Sequence, residues 1–254
     1  MKRRKFIKGA AVAPLSLGVL PGGQAKTPAY FELRVYQLKN RGAKVVMDAY
    51  LQQVFIPAAL RQGIAKVGVF TELHFPEPPR LYVLLVHPSL DSVQNLDQAL
   101  QKDAAYGQAS QTYRQLLPEG MPYERVSTSL IAAFNGMPQW ESPPQGSTIF
   151  ELRNYESPSE DGLLRKIAMF DDEELPLFRE IGLNPVFFGK DLAGKNLPCL
   201  TYLLAFPDMA TRDKNWDVFA RHPAWLAMRD LPKYAHTVSK VHKIFLVPTP
   251  YTVL

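Results

Sequence analysis

Phe31-Glu32-Leu33-Arg34-Val35-Tyr36 reappears as Phe150-Glu151-Leu152-Arg153-Asn154-Tyr155, 119 positions later. The same offset, without a gap, carries Pro57 onto Pro176, Gly63 onto Gly182, Val67 onto Val186, Pro79 onto Pro198 and Pro88 onto Pro207. It ends with Lys102-Asp103-Ala104-Ala105-Tyr106 lying over Arg221-His222-Pro223-Ala224-Trp225. One constant offset held across about 75 positions reads as an internal duplication. Residues 28–136 form the first copy and 148–254 the second, joined by a Pro- and Gly-containing linker at 137–147.

Both copies read in the same order. Phe31, Leu33 and Val35 alternate with Glu32, Arg34 and Tyr36, the period of a strand. Val46, Tyr50 and Val54 then recur at helical spacing over 43–62, with Pro57 placed to kink that helix and Gly63 to stop it. A hairpin follows at 66–75 and 81–87 around Pro76–Pro79, then a helix starting near Ser89 or Asp91 with an apolar stripe at Val93, Leu96 and Leu100. A last strand is expected at 126–134. In the second copy the spacing predicts strands near 149–156, 184–191, 198–206 and 239–247, and helices near 160–181 and 209–230. The fold class is α+β: two ferredoxin-like β-α-β-β-α-β repeats. Helices cover one face of each four-stranded sheet, and a bare second face would expose a large apolar patch. The two sheets are therefore expected to close on each other as an intramolecular dimeric α/β barrel, with a lumen holding packed side chains or one small ligand.

The net charge of +5 is confined to the start of the chain. Lys2, Arg3, Arg4, Lys5 and Lys8 lie in residues 1–25, which hold no Asp or Glu; the other 24 basic residues match 24 acidic ones. A nucleic-acid partner loses its electrostatic support. Residues 1–25 read instead as a signal peptide: a basic start, an apolar run from Ala10 to Leu20, and small Gly23 and Ala25 before a cleavage site. Arg3-Arg4-Lys5-Phe6-Ile7-Lys8 has the twin-arginine export pattern. A periplasmic or secreted location follows, with no membrane span in the mature chain. The lone Cys199 sits in an apolar run and reads as buried filler, with no disulfide.

Phe-Glu-Leu-Arg-x-Tyr, the Pro-bearing helix ending in Gly, the apolar hairpin, and a second helix carrying Trp216 and Phe219 before Arg221-His222-Pro223-Ala224-Trp225 together resemble the NIPSNAP family, within the dimeric α/β-barrel group. The likeness covers about 30–135 and 148–250, and the second half fits better, since Asp97 stands opposite Trp216 and Ala104 opposite Pro223. The resemblance implies the barrel fold. It also implies interaction and trafficking roles, or, from the wider group, cofactor-free oxygenases, isomerases and haem enzymes.

Nucleotide, serine-hydrolase and zinc-protease motifs are missing, and no two of His74, His87, His222, His236 and His242 stand at i, i+4. No cofactor and no metal is expected. If Phe31, Leu33 and Val35 lie under the helices, Glu32, Arg34, Tyr36, Glu151, Arg153 and Tyr155 point into the lumen as ligand-binding residues. His87 is the candidate acid or base, because its counterpart is Phe206. The bland alternative is a structural Glu–Arg ladder. The expected function is thus an unassigned activity on a small organic ligand bound in the lumen. A non-enzymatic interaction module with Tyr106, Trp140 or Trp225 as anchors is one alternative, and a cofactor-independent oxygenase- or isomerase-like enzyme another. The internal pairing removes the need for a homodimer and leaves a homo-oligomer open. Asp171-Asp172-Glu173-Glu174 reads as a solvated helix face.

Overall fold

A computed structural model describes residues 27–254; the expected signal peptide lies outside the described residues. The first half runs β1 (Tyr30–Leu38), α1 (Ala43–Tyr50), a π turn (Leu51–Phe55), α2 (Ile56–Arg61), β2 (Lys66–Glu72), β3 (Arg80–His87), α3 (Leu90–Lys102), α4 (Ala104–Ala109), α5 (Gln111–Arg114) and β4 (Tyr123–Ala133). The second runs β5 (Ile149–Glu156), α6 (Glu160–Met169), a π turn (Phe170–Glu174), α7 (Leu175–Ile181), β6 (Pro185–Ala193), β7 (Cys199–Phe206), α8 (Met209–Arg221), α9 (Pro223–Arg229) and β8 (Lys240–Pro248). No helix among the described residues is long and apolar enough to cross a membrane.

Local chemistry sets these boundaries. Ser89 Oγ accepts the Ser92 amide at 3.2 Å to start α3, and Asp208 Oδ1 accepts the Thr211 amide at 2.7 Å to start α8. Pro57 and Pro176 do not simply kink their helices. A proline ring collides with the carbonyl four residues back, and a widened π turn immediately precedes α2 and α7, each of which carries its proline in the first turn. Gly182 closes α7 at φ 79°, a left-handed conformation that glycine adopts without penalty.

The strands close into a barrel in the order β1-β3-β2-β8-β5-β7-β6-β4, every neighbour antiparallel. Each half supplies four adjacent strands, and the seams are β2–β8 and β4–β6. The second seam is tight: a Cβ on Gly189 would lie 2.4 Å from Ile131 Cγ2 and 2.6 Å from the Ala132 carbonyl oxygen. Four antiparallel steps separate β1 from β5, so these two strands run parallel and end at the same mouth of the barrel.

Three apolar clusters follow. Helices and outer sheet face of the first half enclose Met47, Leu51, Phe55, Val67, Val69, Leu81, Val83, Leu85 and Leu96. Those of the second half enclose Phe170, Phe178, Phe188, Leu200, Tyr202, Leu204 and Phe219. The third cluster draws on opposite strands of both halves: Phe31, Leu33, Phe70, Tyr82, Leu84, Phe150, Leu152, Val186, Phe187 and Leu203. That cluster is the lumen. Trp140 of the linker and Leu254 pack against it.

Candidate functional site

The expected orientation of the two repeated motifs is reversed. Residues opposite each other in an antiparallel pair share a face. Glu32, Arg34 and Tyr36 oppose Leu85, Val83 and Leu81, which lie under the helices, while Phe31, Leu33 and Val35 oppose Val86, Leu84 and Tyr82 on the luminal face. Glu151, Arg153 and Tyr155 likewise oppose Leu204, Tyr202 and Leu200 under the second set of helices. The lumen of a closed barrel is itself a packed core, so the most apolar side of each strand fills it. The charged side goes where helices can bring partners.

Two charge clusters result. In the first half, Arg34 grips Glu32 through Nε at 2.6 Å and Nη2 at 3.1 Å, and His87 Nε2 lies 3.1 Å from Glu32 Oε2. Burial alone would raise the Glu32 carboxyl; hydrogen bonds from His87 and Arg34 outweigh it and hold it at about 2. The ionised carboxylate makes Nε2 the protonated nitrogen of His87. Nδ1 shares a hydrogen bond with the Ser92 hydroxyl at 3.1 Å. His87 is fully buried, joining β1 and β3 to α3.

In the second half Glu151, 0% exposed, accepts from Arg212 Nε and Nη2 at 2.8 and 2.7 Å, Arg153 Nε at 2.7 Å and Trp216 Nε1 at 2.8 Å. Burial opposes its ionisation, but the Arg212 and Arg153 guanidiniums hold its pKa below the ordinary value. Arg153 stacks on Trp216, 3.8 Å from the ring centroid, and donates to the Tyr155 hydroxyl at 2.9 Å. Tyr202 donates to Tyr155 at 2.7 Å. Arg212 escaped sequence reading, although it stands four residues before Trp216 on one helix face. The acidic run is not a solvated face: Glu174 is buried and ion-paired with Lys166, and Asp171 Oδ1 accepts the Gly136 amide at 3.0 Å. Trp225, Tyr106 and Trp140 each pack against a cluster.

The lumen does hold a cavity, made by other residues. About 300 Å³ opens at the mouth where β1 and β5 end. Leu33, Val35, Leu152 and Ile244 give it an apolar wall, and Tyr82, Ser127, Ser129, Asn154, Thr201 and His242 a polar one. Lys195 and Asn196, from the turn between β6 and β7, reach over it. Its polar groups are ordered by one chain of hydrogen bonds. Thr201 Oγ1 donates to Asp191 Oδ2 at 2.7 Å and accepts from Asn154 Nδ2 at 3.0 Å; Asn196 Nδ2 donates to Asn154 Oδ1 at 3.2 Å. Asp191 lies behind Thr201 and is 4% exposed. Burial pushes its carboxyl up to about 7, against hydrogen bonds from Thr201 and Cys199. At the rim Glu72 takes Arg80 and the Tyr82 hydroxyl, both at 2.6 Å, and His242 pairs with Glu156. The sequence carried one signal for this site: Asn154 is the polar counterpart of Val35 at the 119-residue offset. Among the described residues no group of three or more His, Cys, Asp or Glu is arranged to hold a metal ion.

Comparison with known proteins agrees with this architecture. Two solved structures, each described as a "putative monooxygenase", share the fold. One, from Fusobacterium nucleatum, is 9% identical and aligns over 87% of this chain and 93% of its own with a TM-score of 0.61. The other, from Lactobacillus acidophilus, is 9% identical over 89% of this chain and 95% of its own, with a TM-score of 0.54. An uncharacterized NIPSNAP-like domain protein from Burkholderia xenovorans aligns over 42% of this chain and 90% of its own at 16% identity, TM-score 0.39. No curated protein matches the sequence. The NIPSNAP family model matches residues 150–252, so it is the second half of the chain that bears the family's sequence pattern.

Proposed function

We propose that this is an exported NIPSNAP-family protein, duplicated within one chain, that binds a small organic ligand at the open mouth of its barrel. The observation that carries the reading is the cavity shared by both halves. Its volume of about 300 Å³ is at the lower end of the roughly 300–1,000 Å³ of small-molecule sites. Apolar walls with a few ordered polar groups are what such sites use to fix orientation. The duplication is supported by the gapless 119-residue offset, which also relates the two π turns and the two capping residues Ser89 and Asp208. Export rests on the basic and apolar pattern of residues 1–25.

Under this reading Glu32, Arg34, Tyr36, Glu151, Arg153, Tyr155 and His87 fasten helices to the sheet, and Tyr82, Asn154 and Thr201 meet the ligand. The test is a thermal-shift series on the mature chain with toluene-sized and short-chain alcohols, amides, acids and amines. A native-state binder raises Tm. At least one compound should do so, and the rise should vanish in Asn154→Leu combined with Thr201→Val. No rise with any compound, or a rise that survives both substitutions, overturns the assignment. A parallel fusion of residues 1–30 to a reporter tests export: loss on Arg3→Lys with Arg4→Lys is expected, and an unchanged cytoplasmic reporter refutes it.

A further inference from the structure

Four carboxylates are buried among the described residues: Glu32, Glu151, Glu174 and Asp191. Three have a cation in contact. Glu32 has Arg34, Glu151 has Arg153 and Arg212, and Glu174 has Lys166. Asp191 has the Thr201 hydroxyl, the Cys199 thiol and its own backbone amide, none of them a cation. A buried carboxylate without a counter-ion is costly, and proteins ordinarily pair such a group or protonate it. This one stands a single hydrogen bond behind the wall of the barrel-mouth cavity.

The polarity of that wall is fixed by its hydrogen bonds. The Thr201 hydroxyl gives its proton to Asp191 and one lone pair to Asn154, so one lone pair remains. Asn154 Oδ1 accepts once, from Asn196, and keeps a second acceptor position. The Tyr82 hydroxyl donates to Glu72 and likewise keeps lone pairs. At Thr201, Asn154 and Tyr82 the wall therefore offers acceptors, with an anionic charge behind Thr201, while the Ser127 and Ser129 hydroxyls can serve either as donors or as acceptors. The basic side chains at the mouth make no contact with Asp191: Arg80 is held by Glu72 and His242 by Glu156, and Lys195 is exposed on the turn.

We propose that the ligand of this cavity is a small primary ammonium compound with an apolar body, its ammonium donating to Thr201 and Asn154 and supplying the counter-charge that Asp191 lacks. This rests on the lumen-binding reading above and narrows it to one ligand class. An ammonium is donor-only and matches the acceptors at Thr201 and Asn154; a carboxylate of the same size placed there would meet those acceptors and the Asp191 charge with repulsion.

Benzylamine, benzyl alcohol and benzoate share an apolar body and differ in the head group. Calorimetric titration of the mature chain at about pH 8 should give benzylamine at least a tenfold tighter Kd than benzyl alcohol, and no binding of benzoate. Asp191→Asn keeps the shape and removes the charge, so it should abolish the preference for the amine while the alcohol still binds. The ammonium assignment is overturned if benzoate or the alcohol binds as well as the amine, or if Asp191→Asn leaves the preference unchanged. Failure of all three compounds, together with the broader series, sinks the lumen site itself.

Discussion

Asp191→Asn should make the ligand-free protein more stable, and by an amount that depends on pH. In the unfolded chain this carboxyl releases its proton near 3.8; in the folded chain burial holds the proton until about 7. Between those values the folded state binds a proton that the unfolded state has lost, so this residue's contribution falls as pH rises and reaches its full penalty above about 7. At about 1.4 kcal/mol per pH unit, an ionised Asp191 costs the fold about 4 kcal/mol. The asparagine amide carries no charge, and its oxygen still accepts the Thr201 hydroxyl. The stability difference between variant and parent should therefore be near zero at about pH 4 and climb to about 4 kcal/mol by about pH 8. For a chain of this size that is roughly 8–16 °C in Tm. Urea unfolding of both proteins across the range measures it, and taking the difference cancels every other titrating group. A difference that stays flat with pH, or a variant weaker than the parent at pH 8, refutes an uncompensated buried carboxylate at this position.

Glu151→Gln should cost about 3–5 kcal/mol, because it leaves the Arg153 and Arg212 guanidiniums in a buried site without their anion; the urea midpoint reports it. Glu32 acts at the acid end. Its pKa is held at about 2 against an ordinary 4.5, so it contributes about 3 kcal/mol that is present above pH 4.5 and lost as pH falls toward 2. Glu32→Gln should flatten that acid limb, and an unchanged limb would show that the Arg34–His87 cluster does not hold the proton off. Trp140→Phe should leave stability within about 1 kcal/mol or raise it, since the Trp140 Nε1 is buried with no acceptor and its ring packs on Phe187.

The sequence carried the architecture because its information was repeated. A period of two in β1, a capped helix start at Ser89, and glycines at 63 and 182 each allow one local structure, and the 119-residue offset states most of them twice. Two sheets with one helix-covered face each have few ways to hide the other, and closure follows from that. Which side of each strand faces the lumen was not legible. Alternation separates a buried from a solvated face only when one face is solvated, and in this barrel neither is. The charged side could be assigned only by knowing that Arg212, Trp216 and Ser92 descend onto it from the helices, contacts that span up to 65 residues. The cavity was hidden for the same reason. Asp191, Thr201 and Asn154 come from three strands, and their proximity is a matter of register.

The two halves differ at the mouth of the barrel, where a symmetric pair would be of little use. The proposed ligand at the mouth where β1 and β5 both end would sit between equivalent strands, and two identical halves would offer it the same wall twice. Under the helices the Glu–Arg pair stands in both halves, at 32 and 34 and at 151 and 153. At the mouth the counterparts part: Val35 against Asn154, Tyr82 against Thr201. Both halves give the cavity apolar residues, Leu33 and Val35 from the first and Leu152 and Ile244 from the second, but the acceptors backed by Asp191, at Asn154 and Thr201, come from the second half. On the proposed duplication and ligand binding, two copies on one chain, unlike two copies of one chain, would be free to diverge in this way, and the outcome would be a pocket that can tell one end of a small molecule from the other. Restoring symmetry by Asn154→Val with Thr201→Tyr tests the idea: the double variant should still fold, because both side chains already fit the equivalent positions of the first half, and should lose ligand binding. A variant that binds as before would show that the difference between the walls has no part in recognition.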